Sequence, residues 1–349
     1  MDQAISVILT GLLSFLFTIP TISVAKKMHL VTDKTKRIHP AHTHTGIIPR
    51  GGGVPIFLAL IIGTIIFVPV SKIIIGILIG AFLLMVIGIL DDFFDISPYV
   101  RFGMNLVIAG ITVGFGLGIP YISNPLGGVI RLDTIVLTFS AFGSIHHILL
   151  IADILAIIWL AGMMNAINWS KGVDGQMPGF VGITALCLGI FAQRFTNYDI
   201  TTTSVMYLSF ITAGAFLGFL FWNFYPQKIM PGYGGGSLAG FMLGALAILS
   251  FGKVGTALLV LAVPLLDAAY TIVRRVLQGK SPFRADWGHF HHRLLEMGWG
   301  RRRIAVFYWV VALILGTASL ILSGWEKLIV FLLVALTFGI FTLVIASIK

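Results

Sequence analysis

Residues 73–90 read IIIGILIGAFLLMVIGIL, and residues 91–95 that follow read DDFFD. The first segment runs eighteen residues without a charged or hydrogen-bonding side chain. As an α-helix it rises about 27 Å, close to the roughly 30 Å of a bilayer's hydrocarbon. In hydrocarbon a backbone is satisfied only within a helix or a closed barrel. The switch to three carboxylates in five residues marks where the chain leaves the lipid. An apolar helix ending on an acidic cluster predicts a membrane span with chemistry at one end.

Similar runs lie on both sides. Near-spanning apolar segments fall at 4–25, 53–70, 73–90, 102–119, 148–165, 179–195, 203–222, 238–250, 255–273, 304–323 and 328–346. They predict an all-α polytopic helix bundle of about eleven transmembrane helices, one domain over 1–349. The eighth run is short, and 120–147, with Pro120, Pro125, Gly127 and Gly128, reads as an external hairpin. Composition agrees: 58% of the 349 residues are hydrophobic and 10% charged, against about 25% charged in soluble domains. Lipid must absorb this apolar surface. The single cysteine, Cys187, excludes an internal disulfide framework. The first run lacks a basic n-region and ends at Lys26-Lys27, so it reads as a retained helix with its N-terminus outside.

The formal charge of +10 reads as topology rather than as affinity for nucleic acid, because basic residues accumulate on the cytoplasmic side of a membrane protein. With the N-terminus outside, 18 of the 23 Lys and Arg residues fall in inner loops; the outer side keeps Lys72, Arg131, Arg194, Lys253 and Lys327. The longer polar segments are inner loops, at 26–52, 91–101, 165–178, 223–237 and 274–303. Chemistry is therefore expected at the cytoplasmic face of a cell membrane. No long internal repeat is present, and polar groups gather at the inner surface rather than the midplane, which disfavours an inverted-repeat transporter.

Each loop has a bland reading and a chemical one. Asp91, Asp92 and Asp95 repel one another at a helix end, and a hard divalent cation such as Mg²⁺ relieves that repulsion; the bland alternative is a solvated acidic turn. Asn165, Asn168, Lys171, Asp174 and Gly175 can form a tight polar turn whose oxygens bind Mg²⁺ and whose amides bind phosphate, or simply cap a helix. Asn223 and Pro226 precede the glycine-rich 232–237, where backbone N–H groups before a helix can meet a phosphate, or which can serve as a linker. His289, His291, His292 and Arg293, with Arg274, Arg275 and Asp286, suit an anionic group. Zinc is disfavoured there for want of a cysteine or nearby carboxylate pair. Asp33, Lys34, Lys36, Arg37, His39, His42, His44 and Arg50 could hold a lipid phosphate or attract anionic headgroups. Two acids lie within apolar runs: Asp153 near an outer end, where it reads as interfacial, and Asp267, which reads as functional or as a partner of Arg274 or Arg275.

In chain order, Pro49-Arg50-Gly51-Gly52-Gly53, Asp91-Asp92-Phe93-Phe94-Asp95, Asn165-Ala166-Ile167-Asn168 with Gly172-Val173-Asp174-Gly175, Asn223 with Pro226, and His289-Phe290-His291-His292-Arg293 resemble the motifs of the polyprenyl-phosphate N-acetylhexosamine-1-phosphate transferases. Ser281-Pro282-Phe283 and the His-x-His-His stretch are more similar to the GlcNAc-1-phosphate branch than to the phospho-N-acetylmuramoyl-pentapeptide branch. The resemblance spans nearly the whole chain and implies a phosphotransferase acting in the first membrane step of cell-wall or surface polysaccharide synthesis. It implies a UDP-amino sugar donor such as UDP-GlcNAc, an acceptor such as undecaprenyl phosphate, and Mg²⁺. Carried over by motif, Asp91, Asp92 and Asp174 are catalytic. Arg50, Asn165, Lys171, Asn223, His289, His291, His292 and Arg293 bind substrate. Asn168, with Asp91 and Asp92, holds metal. A homodimer is compatible with the resemblance.

The chain departs from the family pattern twice. Lys171 stands where the family has the first acid of Asp-Gly-x-Asp-Gly. Gly232-Tyr233-Gly234-Gly235-Gly236-Ser237 stands where it has Gly-Asp-x-Gly-Ser. The Lys171 ammonium is expected to replace lost metal charge at a phosphate. The alternative is a silent homologue that binds or moves a lipid phosphate.

Overall fold

The computed structural model describes residues 2–33, 46–124, 127–141, 144–196, 200–250, 254–283 and 286–347. Lys34, Lys36, Arg37, His39, His42, His44, Lys253, Arg284 and Lys349 lie outside them.

The chain is mainly helical: α1 (Asp2–Lys27), α2 (Gly53–Phe67), α3 (Lys72–Phe94), α4 (Pro98–Gly114), α5 (Leu150–Trp169), α6 (Gln176–Gln193), α7 (Ile200–Asn223), α8 (Gly232–Leu249), α9 (Val254–Val260), α10 (Ala262–Leu277), α11 (Phe290–Glu296), α12 (Arg301–Ile321) and α13 (Gly324–Ser347). Among the described residues three antiparallel strand pairs interrupt it. β1 (Val31–Asp33) pairs with β2 (Ile47–Pro49), β3 (Tyr121–Ser123) with β4 (Val129–Arg131), and β5 (Val136–Ala141) with β6 (Ser144–Leu149).

Among the described residues eight helices are long and apolar enough to cross a membrane: α1, α3, α5, α6, α7, α8, α12 and α13. The other expected spans are the 15-residue α2, the 17-residue α4, and the pair α9 and α10, bent by 84°. The bend replaces the continuous helix expected over 255–273. Pro264 sits in the first turn of α10, where its missing N–H and fixed φ are tolerated.

Burial is inverted relative to a water-soluble bundle. On α1, Ser6, Thr10, Ser14 and Thr18 repeat every fourth residue and are fully buried, while Ile5, Ile8, Leu12, Leu16 and Ile19 are exposed. The Thr10 and Thr18 hydroxyls donate to carbonyls one turn back, each at 2.7 Å. Small residues let backbones close up where lipid gives no hydrophobic drive to association. A Cβ on Gly218 of α7 would strike the Gly11 carbonyl of α1.

The same logic places α8 at the centre. Every residue from Tyr233 to Ile248 is buried. The glycine stretch 232–237, expected as a loop ahead of a helix, is instead the first two turns of α8. Close packing decides this. A Cβ on Gly53 would lie 2.7 Å from the Gly235 nitrogen, one on Gly88 would strike the Gly234 Cα, and one on Gly236 would strike Asn168 Oδ1. Deeper in the helix, a Cβ on Gly240 would overlap the Met163 carbonyl of α5. Gly240→Ala is therefore expected to destabilise the fold by about 1–3 kcal/mol through overpacking. The check is a lowered thermal midpoint in detergent.

Candidate active site

The acidic cluster is not in a loop. α3 runs past its apolar run to Phe94, and Asp95, at φ 53°, caps it by donating its N–H to the Asp91 carbonyl at 2.8 Å. Asp91 and Asp92 thus occupy the last turn, where the helix dipole disfavours anions. Cations from elsewhere hold them there. Arg101 of α4 donates from Nη1 to both Asp91 oxygens, at 3.1 and 3.2 Å. Its guanidinium lies 5.1 Å over the Tyr233 ring, and the Tyr233 hydroxyl donates to Asn105 Oδ1 at 2.8 Å. Asp91 is 4% exposed. Arg101→Leu would strand a buried carboxylate, and a loss of about 3 kcal/mol of stability is expected, read as a fall in the thermal midpoint that Arg101→Lys partly restores.

Asp92 has different neighbours. The charges of Arg50 and Lys171 act on it, and the Gly51 N–H donates to it. Arg50 leaves the β1–β2 hairpin and donates from Nε to Thr32 Oγ1. Lys171, just beyond α5, donates from Nζ to the Gly232 carbonyl at 2.6 Å. Burial pulls the Lys171 ammonium down to about 8, opposed by the charges of Asp92 and Asp91. Gly232, at φ 68°, begins α8 beside Asp92, and a Cβ there would stand 2.6 Å from Asp92 Oδ2.

On α5, Asn165 spends an amide hydrogen on the Ala161 carbonyl at 2.7 Å. Asn168 Oδ1 is buried against Gly236 without a hydrogen-bond partner. A buried amide oxygen in that state is unusual and calls for an explanation.

The histidines come from the loop after α10 and from α11. His289 lies between Asp267, 3.0 Å from Nδ1, and Arg275, 3.5 Å from Nε2. His291 stacks parallel to His289 with centroids 5.7 Å apart and sits against Gly172. Burial pushes His291 well below the ordinary imidazole range and His292 down to about 4, with neighbouring histidines adding to both. Both rings are neutral at neutral pH and act as hydrogen-bonding groups rather than charges. Asp286 accepts from Arg274 Nη2 at 2.8 Å, Arg275 Nε at 2.9 Å and the Gly288 N–H at 2.7 Å. These bonds hold its carboxyl below the usual carboxylate range against the desolvation that opposes them. Asp267 therefore pairs with His289, and the two arginines offered as its alternative partners bond Asp286 instead. Asp153 accepts the Leu149 N–H at 3.0 Å at the start of α5.

These groups line one cavity of about 240 Å³. Its wall includes Arg50, Asp91, Asp92, Asn165, Asn168, Lys171, His289, His291 and His292. Three residues expected at the site stand outside that lining. Asp174 is buried, 3.7 Å from Arg301, with burial raising its pKa. Asn223 ties the loop, accepting the Gly175 N–H at 3.0 Å and donating to the Ile229 carbonyl at 2.9 Å. Arg293 donates to the Thr342 carbonyl and the Tyr270 hydroxyl, both at 2.9 Å. Arg101, Trp169, Gln227 and Tyr233 also line the cavity and were not singled out; Arg275 and Asp286, grouped with the histidines from the sequence, line it too. Arg101 was traceable as the first base after the acidic cluster; Tyr233 and Gln227 carry no sequence signal of their own.

The family model described as glycosyl transferase family 4 matches residues 74–251, about half of the chain. The chain belongs to glycosyl transferase family 4. The matched segment contains α3, α5 and α8, which carry Asp91, Asp92, Asn168 and Gly236. Among curated relatives of this glycosyl transferase, a probable undecaprenyl-phosphate N-acetylglucosaminyl 1-phosphate transferase of Bacillus subtilis is 27% identical over 95% of this chain and 90% of the relative. A decaprenyl-phosphate N-acetylglucosaminephosphotransferase of Mycobacterium leprae is 30% identical over 80% and 74%. An undecaprenyl-phosphate alpha-N-acetylglucosaminyl 1-phosphate transferase of Escherichia coli K12 is 28% identical over 95% and 89%.

Proposed function

We propose that the protein transfers N-acetylglucosamine 1-phosphate from its UDP-activated form to a polyprenyl phosphate, releasing UMP. One observation carries this reading: carboxylates, amides and cations from five separated stretches of chain meet in a single cavity at the end of a membrane bundle. A nucleotide diphosphate needs that mixture of cations, hydrogen-bond donors and oxygen ligands. An oxygen of the lipid phosphate attacks the sugar-bearing phosphorus. The bond from that phosphorus to the bridging oxygen breaks, and UMP leaves with the electron pair. Little covalent work falls to the protein, so positioning and charge stabilisation dominate.

Arg50 and Lys171 supply positive charge to phosphate oxygens, and neutral His291 and His292 donate N–H groups to phosphate or sugar. Asp91, locked by Arg101, keeps the cation frame in place, and Asp92 faces the substrates. The donor set fits Mg²⁺, a cation that takes oxygen ligands: Asp91, Asp92 and the partnerless Asn168 Oδ1 are hard oxygens lining one space. Bound there, Mg²⁺ would neutralise diphosphate charge. The 18-to-5 division of basic residues supports eleven spans in one domain of a cell membrane, with the N-terminus outside and the cavity facing the cytoplasm.

The test uses purified protein, undecaprenyl phosphate and a panel of UDP-amino sugars, scored for UMP release with and without Mg²⁺. Release with UDP-N-acetylglucosamine is expected. Silence with every donor, while the protein still binds the lipid phosphate, would instead make it a lipid-phosphate binder.

A further inference from the structure

Asp267 is an acid within an apolar helix, 1% exposed, and no step above uses it. Its two oxygens do different things. Oδ1 accepts the Phe290 N–H at 2.8 Å, pinning the start of α11. Oδ2 lies 3.0 Å from His289 Nδ1, and the other nitrogen of that ring, Nε2, faces Arg275 Nη2 at 3.5 Å. A carboxylate can only accept and a guanidinium can only donate. Asp267 and Arg275 therefore demand the same tautomer, with the proton on Nδ1 and the lone pair on Nε2; the Thr271 hydroxyl, 3.4 Å from Nδ1, can accept as well as donate and fits that tautomer too. The ring so fixed touches two cavity elements. It is the parallel stacking partner of His291, and through Nε2 it steadies Arg275, whose guanidinium lies 5.7 Å over the Trp169 ring.

We propose that Asp267 is a positioning residue that acts through His289, holding it as the Nδ1–H tautomer so that Arg275 and His291 are pre-set in the cavity wall. It follows that His289 offers the cavity a lone pair and not a proton, so it does not hold a phosphate oxygen. The consequence for turnover rests on the transferase reading; the tautomer does not. For metal-bound imidazoles, removing the outer partner that fixes the ring typically costs about 10–100-fold, and a loss of that order is expected here.

The tautomer is read on full-length protein in detergent with ¹⁵N-labelled histidine, the His289 signal being the one lost in His289→Gln. An Nδ1–H pattern is expected in the wild type. In Asp267→Asn the amide donates to Nδ1, and the pattern is expected to change to Nε2–H. A doubly protonated or Nε2–H ring in the wild type would overturn the proposal, even if Asp267→Asn fails to fold. In the transfer assay, Asp267→Asn is expected to lower kcat about 10–100-fold with KM for the UDP-sugar within threefold. Asp267→Glu should recover part of the loss, and Asp267→Asn with His289→Gln should be no worse than the poorer single variant. Losses that multiply in the double variant would show that Asp267 acts independently of His289 and overturn the proposal. If the wild type transfers nothing, the transferase reading fails alone and the tautomer decides this one.

Discussion

Gly172→Ala is expected to cut UMP release by at least about 100-fold and to lower the thermal midpoint by an overpacking cost of about 1–3 kcal/mol. The new methyl would overlap the imidazole of His291, so one of the two must move. The backbone at residue 172 is outside the left-handed region, so alanine itself is tolerated there. His291 has little room to yield. It is 1% exposed, parallel to His289 at 5.7 Å, and 4.2 Å from the His292 ring centroid. Relief comes from shifting the histidine cluster or the 170–175 turn, and either displaces groups in the cavity wall. Misplacement by about 1 Å in a site that works by positioning costs on the order of 100-fold. The overlap also costs stability, as at Gly240, so transfer is compared at a temperature where the variant is folded. Transfer within threefold of wild type, with the fold intact, would remove His291 from the reacting geometry.

What the sequence disclosed follows from which forces act locally. Each expected apolar run holds a helix, because hydrocarbon forces the backbone to satisfy itself within each segment. The convergence of the polar loops was also legible, through residue types that suit a diphosphate. The failures are tertiary. Glycines at 234–236 have poor intrinsic helix propensity, yet they are helical because only glycine lets α8 approach Gly88 of α3, Gly53 of α2 and Asn168 of α5. The break near Leu261 left one trace, Pro264, inside an otherwise continuous apolar run. Arg293 sits beside three histidines in sequence, but its donors go to Thr342, 49 residues away, and to Tyr270, 23 residues away. Asp267 and His289 are separated by 22 residues and a loop. No local pattern reports such pairings: motif adjacency grouped Arg293 with the histidines, and proximity offered Arg274 or Arg275 as one alternative for Asp267.

Lys171→Ala should separate two roles that a cation can play in this cavity, because they respond in opposite directions. The ammonium donates to the Gly232 carbonyl at 2.6 Å, and the charges of Asp92 and Asp91 act on it. Removing it takes a point charge from the diphosphate site, and kcat/KM for the UDP-sugar is expected to fall about 100-fold, in keeping with the loss of one preorganised electrostatic contact. It also leaves Asp92 with one cation fewer. A divalent ion competing with that ammonium for the carboxylates then binds more tightly. A unit charge a few ångströms away is worth at least about 1.4 kcal/mol at an effective dielectric near 20, so half-saturation is expected at a roughly tenfold lower metal concentration. Mn²⁺ titration followed by electron paramagnetic resonance reads this directly, without turnover. Lys171→Arg should keep the weaker metal affinity of the wild type, since it keeps the charge. If Lys171→Ala binds Mn²⁺ no more tightly and transfers as fast as the wild type, the ammonium neither competes with the metal nor meets the phosphate, and its place beside Asp92 serves the fold alone.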